Sequence, residues 1–223
     1  WSGESFFNLN KFTEAVEVLN KFVATYPKNP LMPLAYAKLA WSNLQLKNYK
    51  AAKEAYTKAI EFDAKNAKVR EAIPSVGDTF YFALARGLDE AGKTQEAVAE
   101  YETLINRFPQ SEFRHDTLYR IGMWEYNQRN FGAMRMHLQE VVDKSKNKWL
   151  VASSLLAFGN SYYVEQKYDN AIEKYQQLVT KYPDDERVGE SYFGTGLSFF
   201  EKRAFDSALD ALSKALNQGT LSE

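Results

Sequence analysis

Six segments of this chain repeat one spacing, and that spacing limits the fold more tightly than any other feature. A small residue recurs at Ala15, Ala52, Ala97, Ala171 and Ala208, with Met134 in the same series, at intervals of 37, 45, 37, 37 and 37 residues. Three residues before each stands an aromatic or Thr: Phe12, Tyr49, Thr94, Phe131, Tyr168 and Phe205. Four residues after each stands a large one: Leu19, Tyr56, Tyr101, Leu138, Tyr175 and Leu212. Gly or Ala lies twelve before: Gly3, Ala40, Ala85, Gly122, Gly159 and Gly196. Steps of three and four residues place side chains on one face of a helix, so each unit reads as a pair of amphipathic helices. In residues 153–183 the pair flanks a polar elbow at 165–167. Leu155, Phe158, Gly159 and Tyr162 mark the first face; Tyr168, Ala171, Tyr175 and Leu178 mark the second. Gly159 and Ala171 permit close approach, and Pro183 stops the second helix because its ring disfavours helical geometry in the residue before it.

The order of residues in 153–183 resembles the tetratricopeptide pattern. That resemblance implies an all-α, right-handed superhelical solenoid of antiparallel helix hairpins, about five and a half repeats with a 37-residue period over 1–223. The units fall at 1–29 (partial), 30–66, 78–110, 111–147, 148–184 and 185–219, with an eight-residue insertion within 63–78. The insertion reads as tolerated extra loop, since loops accept length cheaply, or as a lip or hinge. Pro33 suits the first turn of its helix, and Asp184 or Asp185 suits an N-cap. Met134, where the pattern wants a small residue, predicts a looser helix crossing in the fourth unit. The chain starts inside a repeat and stops in a loop with no capping helix, so it reads as part of a longer protein with further helices downstream.

Composition narrows the function. Lys plus Arg number 28 and Asp plus Glu 29, a balance with nothing that points to nucleic acid. Cysteine is absent, which excludes disulfides and thiol nucleophiles, and no apolar run approaches the roughly 20 residues that span a bilayer. His115 and His137, 22 residues apart, read as surface or packing residues. The stretch 189–196 falls in register with a first helix, so Gly196 reads as a packing glycine and the stretch not as a phosphate loop. No catalytic residues, metal or cofactor are expected: the chain reads as non-enzymatic.

The segments YPKNPLMPLAYAKLA, FPQSEFRHDTLYRIG and YPDDERVGESYFGTG resemble one repeat subtype. They resemble the repeats of bacterial cell-envelope tetratricopeptide proteins, such as the Tol-Pal-associated periplasmic protein and the outer-membrane assembly lipoprotein. The resemblance implies a periplasmic or envelope setting, with the cytoplasm as the alternative, and a scaffolding role. In this fold the first helices line the concave side. The groove-facing positions are then Phe7, Ala37, Trp41, Leu44, Phe82, Arg86, Asp89, Tyr119, Met123, Tyr126, Leu156, Asn160, Tyr163, Phe193, Leu197 and Phe200. Trp41, Phe82, Arg86, Tyr119, Met123, Tyr126, Asn160, Phe193 and Leu197 are the expected partner-binding residues. An apolar stripe of this kind marks a protein or peptide partner. Only Arg86 and Asn160 could serve a basic-asparagine clamp, which argues against that use. Two alternatives remain: a self-assembling module that forms homo-oligomers, and a regulatory domain of a larger protein.

Overall fold

The computed structural model describes residues 2–63 and 77–218. Among them are twelve helices and no strand. In chain order they are α1 (Ser2–Asn8), α2 (Phe12–Thr25), α3 (Met32–Gln45), α4 (Tyr49–Asp63), α5 (Gly77–Glu90), α6 (Thr94–Arg107), α7 (Arg114–Asn127), α8 (Phe131–Lys144), α9 (Lys148–Val164), α10 (Tyr168–Lys181), α11 (Val188–Glu201) and α12 (Phe205–Asn217). Each odd-numbered helix packs against the even-numbered helix that follows it, giving hairpins. The chain divides into two compact units, Trp1–Phe113 with α1 to α6 and Arg114–Glu223 with α7 to α12. Most of the insertion expected within 63–78 lies outside the described residues.

One turn geometry closes all six hairpins. A residue at positive φ ends each first helix: Asn10, Lys47, Gly92, Arg129, Gln166 and Arg203. Its N–H and the next N–H fold back onto the last carbonyls of the helix. In the second hairpin Lys47 N–H reaches the Leu44 carbonyl at 3.0 Å and Asn48 N–H reaches that of Asn43 at 2.8 Å. These two hydrogen bonds satisfy carbonyls that a helix end leaves orphaned. Only Gly92 suits the left-handed conformation sterically, and an added Cβ there would meet nothing within 4 Å. The other five carry side chains where L-residues pay about 1 kcal/mol. Lys47→Gly, Arg129→Gly, Gln166→Gly and Arg203→Gly should therefore each stabilise by up to about 1 kcal/mol. They lie on separate hairpins, so the gains should add in denaturant melts. Gly92→Ala should cost about as much.

A second motif joins successive hairpins. Tyr26, Phe108 and Tyr182 cap α2, α6 and α10, and a proline follows each. The capping carbonyl then accepts from the residue three further on, Asn29, Ser111 or Asp185. Those polar side chains in turn accept the N–H two residues ahead, on Leu31, Phe113 and Arg187. Pro fixes the turn and the short polar side chain starts the next helix. Asp185 thus does not occupy the N-cap of α11. Arg187 stands there, and the Asp185 carboxylate accepts its N–H at 3.0 Å. Pro33 sits in the first turn of α3.

The small residues used as a ruler all lie inside. Ala15, Ala52, Ala97, Met134 and Ala171 are fully buried, as are Ala40 and Ala85. Unit one is built on aromatics: Tyr56 stacks on Phe80 at 4.2 Å, and Tyr81 and Trp41 meet these rings edge-on. In unit two Met134 joins Phe131, Leu138, Ala157 and Phe158 in one cluster. The crossing in the fourth hairpin is not loose. A Cβ on Gly122 would lie 2.6 Å from Leu138, and the flexible Met134 is fully buried in the same cluster.

Candidate protein-interaction site

In unit one the exposed edges of α3 and α5 carry the aromatics. Trp41 is half-buried, edge-on to Phe80 at 5.6 Å, and with Phe7, Phe12 and Gln45 lines a hollow of about 530 Å³. Phe82 is half-buried, stacked on Phe113 at 4.5 Å. Together with Leu44, Tyr49, Ala83 and Gly87 these two rings line a second hollow of about 430 Å³. A Cβ on Gly87 would come within 2.8 Å of the Tyr49 ring, so the glycine admits Tyr49 to this wall. Arg86 is exposed on the rim and bonds Glu90 at 3.0 Å. A surface pair of this kind is worth little, so the guanidinium can turn to a ligand at small cost.

In unit two Tyr119, Met123 and Tyr126 are half-buried and rest on the Met134 cluster. Tyr119 meets Trp149 edge-on at 5.4 Å, and the Arg187 guanidinium lies 5.1 Å over the Trp149 ring. Trp149 is 50% exposed. Asn160 is half-buried and partly committed to its own fold: its Oδ1 accepts the Tyr175 hydroxyl at 2.7 Å, and its amide reaches Glu190 at 3.5 Å. Phe193 and Leu197 of α11 are half-buried. Burial pushes the Tyr126 and Tyr163 hydroxyls up, with Glu190 and Glu201 respectively the next contributions. The wider groove-facing set needs one correction. Ala37 is 9% exposed and belongs to the packing of α3 rather than to an open face, while Leu44, 8% exposed, reaches the surface only as part of the wall of the hollow beside Phe82.

Sequence reasoning missed Trp149, Phe113 and Arg187. For Trp149 a signal was present: it lies seven residues before Leu156, two turns along the same face, and α9 is 17 residues long where its neighbours have 14. Phe113 and Arg187 sit in turns, outside any helical periodicity. His137, expected as a surface or packing residue, has its Nδ1 2.8 Å from the buried Glu125 carboxylate. Among the described residues no group of His, Asp or Glu could hold a metal ion.

Antiparallel hairpins in one phase, with aromatic edges on their first helices, define a tetratricopeptide-repeat protein. A family model described as outer membrane lipoprotein (YfiO) matches residues 2–125, more than half of the sequence, and a tetratricopeptide-repeat model matches 156–222. The chain belongs to the YfiO outer membrane lipoprotein family. A curated relative, RNA polymerase II-associated protein 3 of Xenopus laevis, is 27% identical over 173 residues. The match covers 78% of this chain but 20% of the relative, so the chain spans about a fifth of that protein's length. Among solved structures, MamA shares 18% identity with a TM-score of 0.60, covering 85% of this chain and 93% of its own. YrrB, described as a TPR protein with an unusual peptide-binding site, shares 19% identity with a TM-score of 0.59, covering 92% and 93%. At such identities the likeness concerns the fold alone. No described helix is long and apolar enough to cross a membrane.

Proposed function

We propose that this protein is a non-enzymatic scaffold that holds a peptide or a segment of a partner protein against the aromatic edges of its first helices, in the assembly or maintenance of a bacterial cell envelope. The observation that carries this reading is the Phe82–Phe113 hollow. It is walled by apolar side chains, rimmed by Arg86, and of a size to admit one large side chain. The half-exposed Trp149 offers an equivalent anchor point in unit two. The envelope setting draws support from the outer membrane lipoprotein family, and peptide binding from the description of YrrB.

Peptides selected from a phage-displayed library against the whole chain, then measured by calorimetry, test the proposal. Phe82→Ala or Phe193→Ala should weaken a selected peptide by about tenfold or more while helicity persists. Tyr56→Ala, which removes a buried ring stacked in the core, should instead lower stability first, by roughly 3–5 kcal/mol. Selected peptides that bind both groove variants as tightly as the parent would remove the basis of this reading.

A further inference from the structure

The turn that joins the fourth hairpin to the fifth departs from its counterparts. In register, residues 108–112 read FPQSE and 182–186 read YPDDE, whereas 145–149 read SKNKW. The aromatic cap, the proline and the glutamate are gone, and two lysines and a tryptophan have come in. Closing the turn does not require the exchange. The Asn147 side chain accepts the N–H groups of Trp149 and Leu150, and the Asn147 N–H reaches Ser145 Oγ at 3.2 Å. Trp149 is held without being buried. Arg187, at the start of α11, lies over its ring, Tyr119 of α7 meets it edge-on, and Asp185 and Ser153 fix the guanidinium. The helices on both sides of α9 are therefore in place, and the indole is still 50% exposed.

Charge is uneven along this edge. Lys144, Lys146 and Lys148 precede the indole and are exposed. Lys146 and Lys148 form no salt bridge among the described residues. Lys144 reaches only Glu140, at 3.8 Å, and Arg114 already holds both oxygens of that carboxylate. Asp143 is engaged by Gln139 at 2.9 Å. At the next turn Asp184 and Glu186 are exposed. A basic turn followed by an acidic one disfavours a uniform polyanion such as a bilayer or a nucleic acid. Three lysines also fall short of the roughly four to eight cations that mark a lipid-binding cluster. The arrangement fits a peptide whose negative charge is confined to one stretch.

We propose that the Trp149 turn takes an acidic stretch of a partner protein: a large apolar side chain lies on the open part of the indole, and aspartates or glutamates beside it meet Lys146 and Lys148. This rests on the reading of the first-helix aromatics as a partner site, and it names the chemistry of the segment that reaches unit two. Trp149 lies two turns before Leu156 on one face of α9, so the turn continues that aromatic edge. A ring fixed before contact loses little freedom on binding, which suits it as an anchor, and lysines at its rim select by charge.

The probes are peptides selected on the whole chain from a phage-displayed random library and resynthesised. One class should carry Asp or Glu next to a large apolar residue and bind more weakly as salt is raised. Lys146→Glu combined with Lys148→Glu should weaken this class by about tenfold. The same peptides with lysines in place of their acids should bind that double variant better than the parent. Trp149→Ala should weaken the class by about tenfold or more. Both lysines are exposed, so the double variant should melt with the parent. Selected peptides that respond to Phe82→Ala but bind the double variant as tightly as the parent overturn this proposal and leave the broader reading standing. A library that yields no binder overturns both. Loss on the double variant without loss on Trp149→Ala takes the ring out of the site and overturns the proposal. So does binding of phosphatidylglycerol vesicles or a DNA duplex that the double variant abolishes, which gives the turn to a polyanion.

Discussion

Gly159→Ala is expected to destabilise the second unit by about 1–3 kcal/mol, and Gly194→Ala by a similar amount. Both act on one ring. Tyr175 of α10 lies between α9 and α11 in a slot walled by these two glycines, where an added Cβ would stand 2.3 Å and 2.5 Å from it. The ring is fully buried and its hydroxyl is tied to Asn160, so it cannot swing aside. Substituting both glycines should cost less than the sum of the single effects, since one displacement of Tyr175 relieves both clashes. Gly132→Ala is the control: on α8 nothing lies within 4 Å of its Cβ, and the change should stabilise by up to about 1 kcal/mol. Thermal melts of the four variants check the set, and an unchanged midpoint for Gly159→Ala would mean that the slot yields.

The same burial gives Tyr175 a pH signature. Burial pushes its hydroxyl well above the ordinary phenol range, with Tyr126, Glu190 and Tyr163 adding to the shift. A folded value raised above the unfolded one means that the unfolded chain loses its proton first. The contribution is therefore whole below about pH 10 and declines as pH rises beyond it. Tyr175→Phe should lose about 1 kcal/mol near neutrality with the Asn160 bond, yet show a shallower fall in alkaline melts.

This slot also shows what the sequence could and could not reveal. The ruler of small residues found Gly159 and Gly196, because each recurs at a fixed offset from the second helix. Gly196 does pack on Leu212, where a Cβ would be 2.6 Å away. Gly194 escaped it, since this glycine serves the previous hairpin, and contacts between hairpins follow the stacking rather than the period within a unit. The polar elbow read at 165–167 is the turn between α9 and α10, and the other five hairpins turn at the equivalent place. Their left-handed residues were not legible, because five of the six are Asn, Lys, Arg or Gln instead of glycine. Ala37 shows the limit in the candidate site. Periodicity gives the angle around a helix, while the neighbour that covers that angle depends on packing, and α3 is flanked by α1, α2, α4 and α5.

Arg187→Ala is expected to have the largest effect of any single substitution outside the apolar core, roughly 3 kcal/mol. The guanidinium grips both oxygens of Asp185, at 2.7 and 2.8 Å, donates to Ser153 Oγ at 2.5 Å and covers Trp149. Both members of the pair are largely buried, at 12% and 15% exposure, so removing the cation strands a carboxylate away from water. It also releases the turn that starts α11 and one side of the Trp149 ring. Arg187→Lys should recover little, since an ammonium can neither fork onto a carboxylate nor stack as a plane. The Arg187 guanidinium holds the Asp185 carboxyl below the usual carboxylate range. The pair's contribution is then present above about pH 4 and lost as pH falls through the lowered folded value. Melts of the parent and Arg187→Ala should differ widely at neutral pH and converge in acid. A gap that stays constant down to the acid limit would show that Arg187 acts through Trp149 and Ser153, and that its charge contributes nothing.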